Sequence, residues 1–345
     1  VMRSGNRTPS LRESGPDVLD QFRKGEVALN EALKRLNGSS PNSTLRRENK
    51  GQTAVVDTQR YQAIIKELDG LIGLRQVKNL VKEIFAFIQI QQKRSAAKLA
   101  TEPIVLHMIF KGNPGTGKTT VARILARLMR ELGVLSKGHL VEVERADLVG
   151  EYIGHTAQKT REHVKKALGG IMFIDEAYSL ARGGEKDFGK EAIDCLVKSM
   201  EDHKNDFILI LAGYGLEMDQ FLRTNPGLPS RFPITVHFED YSEHELMQIS
   251  DTMLRQREYR LSHEANVKLR SFLRDSLQGA GRRNFSNARM VRNIIERAIR
   301  LHAVRLLDNE RPSREELMRI EPEDLVMGEE LKNEELSRDW PNQRR

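Results

Sequence analysis

The sequence predicts an α/β protein: a five-stranded parallel sheet flanked by helices, followed by a small helical lid domain. Three observations carry that expectation. Short apolar runs at 104–110, 139–143, 171–175, 206–212 and 234–238 alternate with amphipathic helical stretches. Such alternation is the pattern of a parallel sheet with crossover helices on both faces. A glycine-rich turn separates the first strand from the helix after it, and beyond Asp240 the pattern changes to helices alone.

Taken in order, residues 1–60 read as an N-terminal extension. Asp17 to Asn37 offers one helix, with Val18, Leu19, Phe22, Leu29, Leu33 and Leu36 on a loose apolar face and Gly25 interrupting it. Gly38 to Gly51 is polar and rich in Ser, Asn and Gly, the composition of a flexible linker. The ordered part is expected from Tyr61. Val77, Leu80, Val81, Ile84, Phe85 and Ile88 then recur at helical spacing.

The turn itself reads Gly112, Asn113, Pro114, Gly115, Thr116, Gly117, Lys118, Thr119. It satisfies G-x-x-x-x-G-K-[ST], the phosphate-binding loop, or Walker A motif, of nucleotide triphosphatases. Gly112, Gly115 and Gly117 are expected in conformations closed to residues with a Cβ. Successive N–H groups then converge on phosphate oxygens. Lys118 brings a charge to the β- and γ-phosphates, and the Thr119 hydroxyl suits Mg²⁺. From Thr120 to Leu132 the sequence reads as a helix, whose N-terminus adds its dipole to the same anion site. ATP and Mg²⁺ are the cofactors implied. GTP is disfavoured, because the guanine-reading N-K-x-D motif is absent and His203-Lys-Asn-Asp206 is not one.

Ile171-Met-Phe-Ile-Asp-Glu176 is the second motif, a Walker B. Its apolar run reads as a buried central strand that delivers two carboxylates at its C-terminal end, where α/β sheets bind ligands. Asp175 is suited to the Mg²⁺ shell, and Glu176 to orienting and deprotonating a water in line with the γ-phosphate. The α/β domain is expected over 61–240 and the helical lid over 241–328. The lid opens with the capping box Ser242-Glu-His-Glu245, and a charged tail runs over 329–345.

Composition narrows the class. The 345 residues are 39% hydrophobic and 30% charged, with no apolar run of membrane-spanning length and no apolar core in the first thirty residues to suggest a secretory signal. Cys195 is the only cysteine, which excludes an intramolecular disulfide and reads as a small buried hydrophobe. A cytoplasmic location is expected. The net charge of +7 is a mild excess spread along the chain, so nucleic acid is not favoured as a partner.

The two motifs, with a helical domain behind them, resemble the AAA+ ATPases. That resemblance implies roles for further residues. Leu71-Ile72-Gly73-Leu74 is similar to the segment that packs on adenine. Asn225-Pro-Gly-Leu-Pro-Ser-Arg231 resembles the segment ending in the arginine finger, so Arg231 would reach the γ-phosphate of the neighbouring subunit. Arg289, in Phe285-Ser-Asn-Ala-Arg289, resembles the sensor-2 arginine that reads the γ-phosphate from the lid. Tyr152, Ile153 and Gly154 match the aromatic–hydrophobic–Gly loop that lines the pore of unfoldases. The strand before Tyr214 departs from the family pattern: Ala212-Gly-Tyr214 stands where a polar sensor-1 residue is usual. The Tyr214 hydroxyl could take that role, or the ring could pack and leave it empty.

Gly150 to Thr156, Asp175 to Leu180, Leu211 to Tyr214 and Asn225 to Leu228 resemble one branch in particular, that of the red-type rubisco activases and stage V sporulation protein K. The resemblance covers roughly 65–327, lies nearer the sporulation protein, and implies a hexameric ring that remodels a client protein. Two other readings stay open: a DNA-associated ATPase, and a scaffold that hydrolyses ATP only to change partners.

Overall fold

The computed structural model describes residues 58–101, 105–152, 154–182, 188–204, 206–225, 227–278 and 285–327, all within one compact unit, Val56–Arg345. The expected helix at 17–37, its linker, Ile153 and the tail at 329–345 lie outside the described residues. Among the described residues two helices precede the sheet, α1 (Thr58–Gly70) and α2 (Arg75–Ala96). α1 starts three residues before the expected onset at Tyr61. Val77, Val81, Ile84, Phe85 and Ile88 form the buried stripe of α2, and Tyr61 stacks on Phe85 with centroids 4.5 Å apart.

The sheet then alternates with helices: β1 (Met108–Gly112), α3 (Lys118–Glu131), β2 (Leu140–Val143), α4 (Arg145–Leu148), α5 (His155–Ala167), β3 (Ile171–Ile174), α6 (Gly189–Asp202), β4 (Ile208–Gly213), α7 (Gly215–Thr224) and β5 (Ile234–Phe238). Short 3₁₀ turns at Ala177–Ala181 and Pro229–Arg231 complete it. Strand order is β2-β3-β4-β1-β5, every pair parallel, with Met108 opposite both Ile210 and Ile234. All four residues of β3 are buried, because helices cover both faces and a parallel strand has no wet side. On one face Phe110 meets Phe173 edge-on at 6.4 Å and Phe238 at 4.9 Å. On the other, Ile109, Met172, Ile174, Leu209 and Leu211 pack with Val164 of α5 and Ala192, Ile193, Leu196 and Met200 of α6. Each of the Val, Ile, Leu, Met and Phe side chains withdraws apolar surface worth about 1.5–3 kcal/mol.

A second core belongs to the lid: α8 (Glu243–Arg255), α9 (His263–Gln278), α10 (Asn287–Arg305) and α11 (Arg314–Met318). Its capping box forms: the Ser242 N–H donates to Glu245 Oε2 at 2.8 Å, and the Glu245 N–H to Ser242 Oγ at 3.3 Å. Leu246, Leu269, Leu273, Val291 and Ile295 make the centre. The lid is not helices alone. A parallel pair, β6 (Arg260–Leu261) and β7 (Arg319–Ile320), ties the α8–α9 connection to the segment after α11. Two-residue strands carry no period for a sequence pattern to display. Cys195 is half-buried rather than a core residue, its Sγ 3.7 Å from the Ala157 carbonyl.

Candidate functional site

The parallel sheet puts the C-terminal ends of β1, β3 and β4 on one rim, and the lid covers that rim from α8 and α10. Between them lies a cavity of about 1330 Å³. Pro114, Gly115, Gly117, Lys118, Thr119 and Thr120 line it. Gly115 (φ +70°) and Gly117 (φ +95°) take left-handed conformations, as expected. Gly112 does not. Its requirement is space, since a Cβ there would stand 2.4 Å from the Phe238 carbonyl. Asn113 and Thr116 belong to the loop but not to the cavity lining. Asn113 Nδ2 donates to both Asp240 oxygens at 2.9 Å, and the fully buried Thr116 donates to the Asn113 carbonyl at 2.8 Å.

Lys118 is the first residue of α3 and only 9% exposed. Its ammonium donates to the carbonyls of Gly112 and Asn113, each at 2.8 Å. Burial pushes its pKa down, and the Asp175 carboxylate pulls the other way. Asp175 and Glu176 line the same cavity. Asp175 Oδ1 accepts the Glu176 N–H at 3.0 Å. Glu176 itself sits at φ +46°, a strained position for a residue with a side chain, and its side chain is exposed.

Tyr214 also lines the cavity, stacked on Tyr178 with centroids 5.8 Å apart. Partial burial first, then the Glu176 charge, raises its pKa, so the hydroxyl stays protonated. The ring therefore packs on Tyr178, and the residue lines the cavity. Ile72 lines the cavity and packs against the lid core, and Leu71 and Leu74 join it at the rim. Gly73 (φ +65°) makes the turn between them, close to Tyr241 and Glu245.

Arg289 lines the cavity from α10. Arg231 does not belong to its own chain's cavity lining. It bonds to the Glu201 carboxylate and to the Gly227 carbonyl, the latter at 2.7 Å. The Arg231 guanidinium holds Glu201 below the usual carboxylate range.

The loop between β2 and α5 starts in the cavity and ends outside it. Val149, Gly150 and Glu151 line the cavity, and the Gly150 N–H donates to the fully buried Thr156 hydroxyl at 2.9 Å. The next residue, Tyr152, is 66% exposed and edge-on to His155 at 5.4 Å. Gly154 caps α5 at φ +83°. Ile153 is outside the described residues.

Three residues at this site escaped sequence reasoning. Tyr241 donates its hydroxyl to the Thr116 carbonyl at 3.2 Å, and burial pushes its pKa up to about 12. Asp240 and Asn287 join the loop to the lid. The one available signal was that Asn287 stands two residues before Arg289 in a stretch already singled out.

Comparison with known proteins gives consistent matches. Residues 108–240 match the ATPase family associated with various cellular activities (AAA), and residues 242–335 match the AAA lid domain. Stage V sporulation protein K of Bacillus subtilis (strain 168) is 58% identical over 267 residues, covering 77% of this chain and 83% of that protein. The plasmid-encoded protein CbxX of Cupriavidus necator is 47% identical over 248 residues, covering 71% and 77%. The chloroplastic ribulose bisphosphate carboxylase/oxygenase activase of Cyanidioschyzon merolae is 42% identical over 279 residues, covering 80% and 94%.

Proposed function

The chain belongs to the AAA family of ATPases, and from that premise we propose that it is a homo-hexameric motor that spends ATP to remodel a client protein held by a central pore loop. The reaction is hydrolysis of ATP to ADP and phosphate. Lys118 and the loop N–H groups bind the phosphates, and Glu176 takes the proton of the attacking water. Arg289 senses the γ-phosphate from the lid, Tyr214 orients polar groups beside it, and Ile72 and Gly73 border the base. Arg231 acts on the neighbour's γ-phosphate. A Mg²⁺ ion brought in with the nucleotide suits Thr119 and Asp175, which are hard oxygen donors lining one cavity and would hold it there. Bound there, the ion would neutralise charge on the β- and γ-phosphates.

One observation carries the motor reading. A single loop lines the nucleotide cavity at Val149, Gly150 and Glu151 and exposes an aromatic ring at Tyr152. A change at the phosphates therefore has a short route to a ring that can grip polypeptide by apolar contact. Tyr152→Ala should hydrolyse ATP and fail to remodel. The client can be found with Glu176→Gln, which should bind ATP, turn it over very slowly and retain what it grips in a pull-down. Client remodelling at full rate by Tyr152→Ala would end the pore-loop reading.

Similarity to stage V sporulation protein K supports a role in sporulation. The second reading, from the activase relative, is that the client is ribulose bisphosphate carboxylase/oxygenase. Restored activity of that enzyme when the chain and ATP are added to its inhibited form would favour it. Among the described residues no helix is long and apolar enough to cross a membrane, and a cytoplasmic site of action completes the proposal.

A further inference from the structure

The phosphate loop is bonded at four successive residues, one to Asp240 just before the lid and three to the lid itself. The Asn113 amide donates to Asp240 at 2.9 Å. The Pro114 carbonyl accepts from Asn287 Nδ2 at 3.3 Å. The Gly115 carbonyl accepts the Ala288 N–H at 3.2 Å. The Thr116 carbonyl accepts the Tyr241 hydroxyl at 3.2 Å. The fit is close: a Cβ on Gly115 would stand 2.2 Å from the Ser286 carbonyl and 2.8 Å from the Arg289 nitrogen.

Asn287 is the centre of this set. It is fully buried, at the first position of α10, with φ +48°. Its Oδ1 accepts the Tyr241 N–H at 2.9 Å. Its Nδ2 donates to Asp240 Oδ1 at 2.7 Å and to the Phe285 carbonyl at 3.3 Å, besides Pro114. A side chain at positive φ is unfavourable, and Asn tolerates it better than most. Glycine would suit the backbone but lacks the amide. Aspartate would lack the donor and set a second carboxylate against Asp240. What this position needs, then, is an amide that donates and accepts at once.

We propose that Asn287 is a positioning residue for γ-phosphate sensing: by bonding the first turn of α10 to Asp240 and the phosphate loop, it fixes where the Arg289 guanidinium stands. The link is direct, since Arg289 is two residues further along the same turn and lines the cavity with Lys118. A lid free to shift by an ångström would carry Arg289 off its target, a displacement large enough to cost much of a catalytic contact. This inference rests on the γ-phosphate role given to Arg289 above.

The test uses the full chain, with ADP and the slowly hydrolysed analogue ATPγS as probes in equilibrium binding, and turnover measured alongside. Arg289→Ala should lose the preference for ATPγS over ADP by about tenfold, the worth of one charge-assisted hydrogen bond. Asn287→Gly, which keeps the backbone at ease, should lose a similar part of that preference while ADP affinity stays within about twofold. In the double variant the losses should not add, because one residue acts through the other. Asn113→Ala, at the half-exposed end of the network, should shift the preference the same way by less, and serves if Asn287→Gly folds poorly. Unchanged preference in both network variants, additive losses, or equal weakening of ADP and ATPγS would overturn the inference while the role of Arg289 survived. An unchanged preference in Arg289→Ala would overturn that role and the inference with it.

Discussion

If Arg231 of one protomer completes the site of the next, two inactive variants must restore each other. Arg231→Ala keeps an intact phosphate loop and lacks the finger. Lys118→Ala keeps the finger and lacks the loop cation. Arg231 stands outside its own chain's cavity lining, so its removal should leave nucleotide affinity within about twofold while turnover falls by ~10³ or more, the scale of a fixed cation at a γ-phosphate. In a one-to-one random ring, half the protomers supply an intact loop and half an intact finger. About a quarter of the interfaces then join the two, so the mixture should reach about a quarter of wild-type turnover. The finger must first leave Glu201 and the Gly227 carbonyl. An exposed pair of this kind holds little energy, so Glu201→Gln should stay within about threefold of wild type. Steady-state phosphate release from mixed and unmixed variants is the assay. A mixture that forms joint oligomers and stays at the level of its parents would refute action between subunits.

Other expectations follow from the geometry. Glu176→Gly should lose turnover as fully as Glu176→Gln yet unfold at higher temperature than the Gln variant, because glycine relieves the φ of +46°; equal melting temperatures would contradict strain there. Buried between Phe207 and Phe232, His107 has its pKa pushed down to about 4 while Nδ1 accepts the Leu209 N–H at 3.0 Å. Its folded pKa lies below the unfolded value near 6.5, so the unfolded chain binds the extra proton and stability falls as pH drops from about 6.5 to 4. The loss should be about 3 kcal/mol by denaturant midpoints, and His107→Gln should flatten that window. Asp324 is 1% exposed and bonded to Arg305 at 2.9 and 2.8 Å. Asp324→Ala should cost about 2–3 kcal/mol in chemical denaturation, below the figure for a fully buried pair because Arg305 is partly solvated.

What the sequence disclosed follows the range over which each feature is encoded. β3 and the phosphate loop are contiguous: Ile171-Met-Phe-Ile174 is apolar because both faces are covered, and the turn from Gly112 to Thr119 carries its geometry in its own glycines. That Asp175, Glu176, Lys118 and Thr119 would line one cavity could be read from those runs alone. Arg231 and Arg289 needed the likeness to a family, since a lone arginine has no signature. The tie between loop and lid was hidden for a different reason. Asn113 and Asp240 are 127 positions apart, and Asp240 and Asn287 another 47. Each is a short polar residue of the kind that fills turns, and their meaning lies in one carboxylate accepting two amides. The β6–β7 pair was lost in the same way, two residues meeting two across 59 positions. Arg289 illustrates the consequence. Likeness suggests its role, and the reason proposed above for its fixed position lies in Asn287, Asp240 and Asn113, which bond a turn of lid helix to the phosphate loop.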